Sequence, residues 1–195
     1  QEFTIFMRDV VKLTKTNDTP IFFMFSASKT NVKALAEYKK AFTLSGLKEC
    51  HQSIKFQKLY KNGKPYAFCG HQLQEHIFTF SKSGNKRADL DFELQPLYQF
   101  KADSKYQTAK PTELLIELVK ASTKPFEIVL DMFAGSGSTA KAGATTHRSV
   151  LTYEIDEQQT EIIKSEVCAI HSKMIRGIKQ MINTINKSIQ LTLTF

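Results

Sequence analysis

The segment from Ile128 to Asp156 constrains the fold more than any other part of this chain. It begins with the apolar run Ile128–Leu130, which is short and rich in β-branched residues and therefore predicts a buried strand. Gly135 and Gly137 follow in a tight turn, where the missing Cβ lets the backbone approach a ligand closely. The segment thus begins as a strand that runs into a glycine bend.

The rest of the segment predicts a helix and a second strand. Ser138 and Thr139 are suited to open a helix, and Ser149–Tyr153 predicts a strand that ends at Glu154. A strand, a glycine turn, a helix and a second strand tipped by an acid form the unit with which α/β sheets hold a nucleoside at the carboxyl ends of their strands. A carboxylate at the tip of the second strand suits a bidentate grip on ribose hydroxyls.

The spacing of the glycines helps to choose the ligand. A dinucleotide fingerprint requires G-x-G-x-x-G, whereas the glycine that follows Gly137 here is Gly143. The sequence from Phe133 to Gly137 fits S-adenosylmethionine better than NAD, because S-adenosylmethionine has no pyrophosphate for which several backbone N–H groups must converge. A glycine turn without a ligand remains an alternative, since a lone Gly-x-Gly is a weak signal.

Charge and composition narrow the class of protein. With 27 Lys and Arg against 19 Asp and Glu, the net charge is +8, which favours polyanionic partners. Three widely spaced cysteines form neither a disulfide framework nor a metal-ligand pattern, so a reducing cytosol is favoured over secretion. The five histidines lack ligand spacing as well, and no metal is expected. No apolar run approaches the roughly 20 residues of a membrane span.

Three segments together resemble the permuted β class of DNA amino-methyltransferases, which act on adenine N6 or cytosine N4. The segments are Tyr106–Leu115, Leu130–Thr139 and Thr152–Asp156. The first matches the family's Thr-x-Lys-Pro segment, and the second matches its Asp-Pro-Phe-x-Gly-Ser-Gly-Thr-Thr turn. Met132 replaces the usual proline and Ser138 a threonine, and neither change removes a group that the cofactor needs. Weaker matches extend the resemblance from about residue 3 to residue 167.

The resemblance implies a fold, a cofactor and a substrate. The expected fold is α/β, a doubly wound and mostly parallel sheet of the Rossmann-like methyltransferase type. The expected cofactor is S-adenosylmethionine, and the expected partner is DNA, with adenine N6 favoured over cytosine N4 as the target. The resemblance implies seven cofactor contacts. Two lie near the methionine carboxylate, four form the bend and one acid binds the ribose, in that order: Thr108, Lys110, Asp131, Phe133, Gly135, Gly137 and Glu154.

The family's catalytic tetrapeptide, Asp/Asn/Ser-Pro-Pro-aromatic, is absent from the sequence. All five prolines are isolated, and Asn17-Asp18-Thr19-Pro20 lacks both the second proline and the aromatic residue. In the permuted arrangement the tetrapeptide ends a central strand just upstream of the first helix of this chain. We therefore expect that strand, and the catalytic residues, to lie in an N-terminal segment or on another chain.

The remaining sequence is interpreted as parts of one domain, 1–195. Residues 1–81 are expected to form the catalytic-half elements, with helices over 2–15 and 31–45, a strand buried in a parallel sheet over 21–25, and strands over 49–58 and 75–81. The order of these elements resembles the family's middle section, which implies that the basic, aromatic loop at 60–66 lies near DNA. Residues 82–105 are interpreted as a basic connector, and 106–195 as the cofactor-binding half.

The C-terminal part predicts one long helix and a strand. Apolar residues recur at three- and four-residue steps over Glu157–Ile185, which predicts an amphipathic helix that either faces a core, with a break at Gly177, or forms an interface with a second copy or another subunit. The alternation over Ser188–Phe195 predicts a strand.

Three functions remain open at this point. The first is the cofactor half of a DNA amino-methyltransferase. The second is a catalytically silent module that binds DNA, cofactor or a partner, which the missing tetrapeptide favours. The third is a nicotinamide-dependent oxidoreductase, which the glycine spacing disfavours.

Overall fold

The computed structural model of the protein describes residues 2–14, 16–26, 32–50, 54–65, 67–68, 71–72, 75–90, 94–101 and 109–192. Contacts between residues divide the chain into two compact units, Gln1–Lys124 and Pro125–Phe195. Each unit has its own sheet and its own helices.

The first unit contains three helices and seven strands within its described residues. In chain order these are α1 (Glu2–Leu13), β1 (Ile21–Ser26), α2 (Val32–Leu44), β2 (Lys48–Glu49), β3 (Ile54–Leu59), β4 (Ala67–Phe68), β5 (His71–Gln72), β6 (Glu75–Ser81), β7 (Leu97–Lys101) and α3 (Thr112–Ser122). The predicted helices are confirmed over Glu2–Leu13 and Val32–Leu44, and the predicted strand over Glu75–Ser81 is confirmed; residues 15 and 31 lie outside the described part. The predicted strand over 49–58 corresponds to the end of β2 and most of β3, and its residues 51–53 lie outside the described residues.

The main sheet of this unit has the order β1-β6-β3-β7, with β2 also paired to β6. The pairs β1–β6, β2–β6 and β3–β6 are antiparallel, and β3–β7 is parallel. The prediction that Ile21–Phe25 is a strand is confirmed, but the prediction that it is buried in a parallel sheet is wrong. Its described pairing is antiparallel, and residues 21–24 are half-buried. The prediction failed because an apolar run does not specify the direction of the strand that pairs with it.

Aromatic side chains form the core between the sheet and the first two helices. Phe42 of α2 stacks on Phe80 of β6, with 4.4 Å between ring centroids, and Met7 of α1 joins the same buried cluster. Both helices place their apolar face against the sheet, as amphipathic helices of a globular domain do. Gly46, with φ of +89°, follows α2 in the left-handed conformation that commonly ends a helix.

The predicted basic connector, 82–105, contains the strand β7. This strand pairs in parallel with β3, from Leu97 opposite Lys55 to Lys101 opposite Leu59. Its alternating half-buried and exposed residues reflect a strand at the edge of a sheet. The helix α3 belongs to the first unit, whereas the sequence analysis placed it in the cofactor-binding half.

The second unit is a β-α-β-α arrangement. It consists of β8 (Ile128–Asp131), α4 (Ser138–Thr145), β9 (Ser149–Thr152) and α5 (Glu157–Thr192). The two strands are parallel and in register from Ile128 opposite Ser149 to Asp131 opposite Thr152. This arrangement confirms the predicted order of strand, turn, helix and strand.

The helix α5 differs from its prediction in two ways. It runs without a break through Gly177, because a single glycine weakens a helix without ending it. It also continues to Thr192, so the predicted strand over Ser188–Phe195 is wrong for residues 188–192, and residues 193–195 lie outside the described part. The alternation of apolar residues there was too short to outweigh propagation of an established helix.

Candidate nucleoside-binding site

The bend after β8 is shaped by Asp131 and two glycines. The backbone N–H of Phe133 donates to the Asp131 carboxylate at 3.0 Å, which closes a local turn of the kind that Asp side chains favour. Gly135 and Gly137 have φ of +50° and +73°, and α4 begins directly after Gly137. The predicted turn residues are therefore brought together at the carboxyl end of β8.

The two glycines serve different purposes. A Cβ at Gly137 would lie 2.6 Å from Ile163 Cγ1, whereas the nearest atom to a Cβ at Gly135 would be the Phe133 carbonyl oxygen at 3.9 Å. Gly137 lets α5 approach the start of α4. At Gly135 a Cβ would make only an ordinary van der Waals contact, so the backbone there is open enough for a ligand to approach it closely.

Glu154 lies directly beside the bend. Its carboxylate accepts hydrogen bonds from the backbone N–H groups of Gly135 at 2.6 Å, Ile155 at 2.9 Å and Asp156 at 3.1 Å. The hydrogen bonds from Asp156 and Gly135 lower the pKa of Glu154, since they stabilise the ionised form. The acid at the tip of β9 is thus held, ionised, against the glycine turn, as the sequence predicted.

Backbone hydrogen bonds fix the position of this acid. Tyr153 N–H donates to the Asp131 carbonyl at 2.9 Å, and Ala134 N–H donates to the Tyr153 carbonyl at 2.9 Å. These bonds extend the pairing of β8 and β9 past the ends of both strands. The distance between Glu154 and the bend is therefore set by the sheet itself.

Exposed apolar side chains border the bend and the acid. Phe133 is 76% exposed and Ile155 is 98% exposed, although neither residue type favours water. Large apolar groups beside a fixed carboxylate are typical of sites that hold a flat, partly apolar ligand and orient it with a few polar contacts.

A third glycine, which the sequence analysis set aside, also has a structural role. A Cβ at Gly143 of α4 would lie 2.0 Å from Val150 Cγ2 of β9. Gly143 therefore allows close packing of helix on strand, the role of the third glycine in nucleotide-binding turns. Its spacing from Gly137 exceeds that of the fingerprint, and so sequence spacing alone did not reveal it.

In the first unit, Lys110 forms part of an ion cluster around Glu75. The Glu75 carboxylate lies 2.8 Å from Lys110 Nζ and 3.3 Å from Lys58 Nζ, and Lys110 Nζ lies 5.9 Å from the centre of the Phe56 ring. Glu75 and Lys58 are largely buried. The pairing holds Lys110 in place, a contact that no sequence pattern indicated, and Thr108 lies outside the described residues.

The basic, aromatic loop is described from Tyr60 to Pro65. Tyr60 N–H donates to the Lys64 carbonyl at 2.8 Å and Gly63 N–H to the Tyr60 carbonyl at 2.9 Å, so the loop is a tight turn. The lysines Lys61 and Lys64 are exposed, and Tyr60 is 48% exposed. This is the composition of a surface that contacts phosphates and bases. Tyr66 lies outside the described residues.

The described residues contain neither a metal-binding cluster nor a helix that could span a membrane. No three of the described His, Cys, Asp and Glu side chains lie close enough together to hold a metal ion. None of the described helices combines the length and apolar character needed to cross a bilayer.

The parallel strands of the second unit, with a glycine bend and an acid at their carboxyl ends, define an α/β protein with a candidate nucleoside site. The family model for N6/N4-type enzymes, described as DNA methylase, matches residues 1–165. The chain belongs to this family. The resemblance identified from the sequence is thereby confirmed.

Individual relatives and solved structures agree with the family. The DNA adenine methyltransferase YhdJ of Escherichia coli (strain K12) is 28% identical over 119 residues, covering 51% of this chain and 39% of YhdJ. The complex of M1.HpyAVI with SAM has a TM-score of 0.60 at 18% identity, covering 84% of this chain and 81% of that one. The cytosine-N4-specific PvuII DNA methyltransferase has a TM-score of 0.66 at 15% identity, covering 90% of this chain and 76% of that one.

These likenesses confirm the predicted α/β methyltransferase fold. The expected mostly parallel sheet is mixed in the described residues, where four strand pairs are antiparallel and two are parallel. The matched stretches span between 30% and 39% of the curated relatives' lengths. The chain thus corresponds to a part of those proteins.

Proposed function

We infer that this chain carries the cofactor-binding part of an S-adenosylmethionine-dependent enzyme that methylates an exocyclic amine of a DNA base. The observation that carries this inference is the hydrogen bond of 2.6 Å between the Glu154 carboxylate and the Gly135 N–H. It holds an ionised acceptor for ribose hydroxyls at the open side of a glycine bend. The relative YhdJ, named as an adenine methyltransferase, favours adenine N6 over cytosine N4.

The residues at the bend fit S-adenosylmethionine by their chemistry. Glu154 would accept from the ribose, Phe133 and Ile155 would contact the apolar faces of the nucleoside, and Asp131, Gly135 and Gly137 would shape the methionine side. A carboxylate has about four acceptor positions, and backbone N–H groups occupy three of them on Glu154. One position therefore remains for a ribose hydroxyl, and a bidentate grip requires the carboxylate to release one backbone N–H. The roles of Lys110 and Thr108 at the methionine carboxylate remain predictions from the family motif.

When bound, the cofactor supplies an electrophilic methyl group on a sulfonium. The residues of this chain would then hold the nucleoside and exclude other ligands from the site. The amine of a base is a weak nucleophile, because its lone pair is delocalised into the ring, and it needs an acceptor for its hydrogens and an aromatic face for the extruded base. The family provides both in the tetrapeptide that this sequence lacks.

We propose that this tetrapeptide is supplied by a segment outside these 195 residues. Within the described residues, β1 pairs with β6 alone and β8 with β9 alone, so each has a side on which a further strand can form hydrogen bonds. A catalytically silent subunit is the second candidate, favoured by the missing tetrapeptide. A methyl-transfer assay on DNA separates the two. Activity that appears only when a tetrapeptide-bearing segment is added supports the first, and silence under both conditions supports the second.

Calorimetric titration tests the cofactor site. We expect the chain to bind S-adenosylmethionine and not NAD. Glu154→Gln should weaken binding about tenfold or more, since a hydrogen bond to a charged group is lost. Asp156→Asn is the matched control, because Asp156 caps the Gln159 N–H of α5 at 3.1 Å and asparagine caps equally well. Equal loss of affinity in both variants would contradict the assignment of Glu154.

A further inference from the structure

The helix α5 extends far beyond the element that supports it. Its N-terminal part packs on α4, where Ile163 is buried with Ala134 and Ala140, and Val167 packs against the same cluster. The family match ends at residue 165, whereas the helix continues to Thr192. A rise of about 1.5 Å per residue makes the part beyond the match roughly 40 Å long.

The apolar face of this extension is exposed. Along it, the exposed fractions are 54% for Ile175, 51% for Ile178, 61% for Met181, 50% for Ile182 and 50% for Ile185, while Met174 is half-buried. They continue the stripe that begins with Ile163 and Val167, so the same face is covered where α4 lies and uncovered beyond it. We call the face formed by Met174, Ile175, Ile178, Met181, Ile182 and Ile185 the α5 seam.

The spacing in the α5 seam is that of a two-stranded coiled coil. Met174, Ile178, Met181 and Ile185 follow steps of four, three and four residues, which places methionine at two successive d positions and isoleucine at the two a positions that follow them. Ile175 and Ile182 occupy the neighbouring e positions, and His171 occupies the preceding a position. A β-branched residue at a with an unbranched-Cβ residue at d favours a parallel dimer. The partner that this pattern fits is a second copy of the same helix.

The charges on α5 are compatible with pairing of two identical helices. From Val167 to Thr192 the sequence contains cations and no acid, which would oppose self-association if the cations bordered the seam. Lys173, Arg176 and Lys179 instead occupy the c, f and b positions, on the far side of the helix. The g positions that border the seam hold Gly177 and Thr184, and a Cβ at Gly177 would meet nothing within 4 Å, so another helix has room to approach.

A lipid surface fits the α5 seam less well than a second helix. Helices that lie in the membrane interface typically place Trp, Phe or Leu on their apolar face. From Glu157 to Thr192 the sequence contains no Trp, Phe or Tyr and one leucine, Leu191, near the end of the helix, and the seam consists of isoleucine and methionine. Binding to a bilayer does not depend on the heptad positions of these two residue types, whereas in a coiled coil those positions determine the number of helices.

We propose that two copies of this chain associate through the α5 seam as a parallel, in-register coiled coil. The footprint is small, because a helix about 40 Å long and about 10 Å wide offers less than the roughly 800 Å² per partner of a standard interface. The dimer therefore dissociates on dilution, in the micromolar range.

Sedimentation velocity of the chain over about 1 to 100 μM tests the proposal. We expect a monomer at the low end and a dimer at the high end. The variant Ile178→Gln/Met181→Gln should weaken dimerisation at least tenfold, while Arg176→Gln/Lys179→Gln, on the far side, should leave it unchanged. Gln, Arg, Lys and Met have similar helix propensities, and circular dichroism checks that both variants remain helical.

A monomer at every concentration overturns the proposal, as does a dimer that both variants preserve. Vesicles of phosphatidylcholine with one quarter phosphatidylserine provide the other arm. Sedimentation of a monomeric chain with these vesicles, lost in the seam variant, would assign the face to a lipid surface and equally overturn the proposal.

Oxidative cross-linking tests the direction of the helices. Cys168 is exposed on α5, so Met181→Cys is introduced together with Cys168→Ser. In a parallel, in-register pair both copies of residue 181 face each other, and we expect a cross-linked dimer. Lys179→Cys in the same background points away from the partner and should cross-link poorly. Equal cross-linking of the two variants contradicts a parallel seam.

Discussion

Gly135 and Gly137 lie two residues apart in one bend, but a side chain would meet different surroundings at each. Gly137→Ala combines a left-handed backbone with a clash against Ile163. We expect it to lower the free energy of unfolding by about 2–4 kcal/mol. Gly135→Ala is the matched control and should cost about 1 kcal/mol, because only the backbone conformation is unfavourable. Urea titrations compare the two variants. Equal losses of unfolding free energy would show that the Ile163 side chain moves aside at no cost.

Glu154 gives the bend a dependence on pH. Its pKa is lowered in the folded state by hydrogen bonds from Asp156 and Gly135, so the ionised form stabilises the fold. The stabilisation is present in full above the unfolded pKa of about 4.3, and it is lost as pH falls through the lower folded pKa. The free energy of unfolding should therefore differ between wild type and Glu154→Gln near pH 7, and the difference should shrink in acid.

Urea titrations at several pH values measure this difference. Glu37→Gln, at an exposed position of α2, serves as the control and should show a smaller difference. A difference for Glu154→Gln that stays constant down to strongly acid pH would mean that the carboxylate charge does not stabilise the bend.

Between elements, the close approach of α4 and β9 depends on Gly143 and Val150. In Gly143→Ala the added methyl would lie 2.0 Å from Val150 Cγ2, and we expect a loss of about 1–3 kcal/mol, partly offset by better helix propensity. In Val150→Ala the space for that methyl opens. The double variant should be more stable than the sum of the single losses predicts, by about 0.5–3 kcal/mol. Strict additivity would contradict direct contact at this site.

Gly177 has a low helix propensity, but α5 continues through it. A Cβ there meets nothing within 4 Å, so Gly177→Ala removes a cost of about 1 kcal/mol without introducing a clash. The variant should show higher helicity and slower amide exchange around residue 177. Unchanged exchange would indicate that contacts with another chain already hold this part of the helix.

At the scale of the whole molecule, the net charge of +8 predicts DNA binding that weakens with salt. If Lys61 and Lys64 contact phosphates, Lys61→Gln/Lys64→Gln should reduce the slope of log K against log salt by about 2. Lys173→Gln/Lys179→Gln changes the net charge equally and should leave the slope nearly unchanged. Binding to a DNA duplex by fluorescence anisotropy measures both slopes, and equal effects would assign the binding to net charge rather than to the loop.

The bend was predictable because its signals are local. Gly135, Gly137 and Glu154 lie within one β-α-β unit, and the pairing of β8 with β9 brings the acid to the glycines once the strands are recognised. The ion pair of Lys110 with Glu75 was not predictable, because the two residues lie 35 positions apart in the sequence and meet only through the packing of the first unit. The strand β7 was also missed. Its alternation of apolar and polar residues is weak, and it is stabilised by pairing with β3, which is distant in the sequence.

By itself the sequence determined the family, the order of strand, turn and helix in the second unit, and the amphipathic character of α5. These follow from backbone preferences and periodicity, which act over a few residues. Only the tertiary structure decided the antiparallel direction of β1 and the contact of Gly143 with Val150. Those features depend on which surfaces meet, and a competition between neighbours distant in the chain settles them.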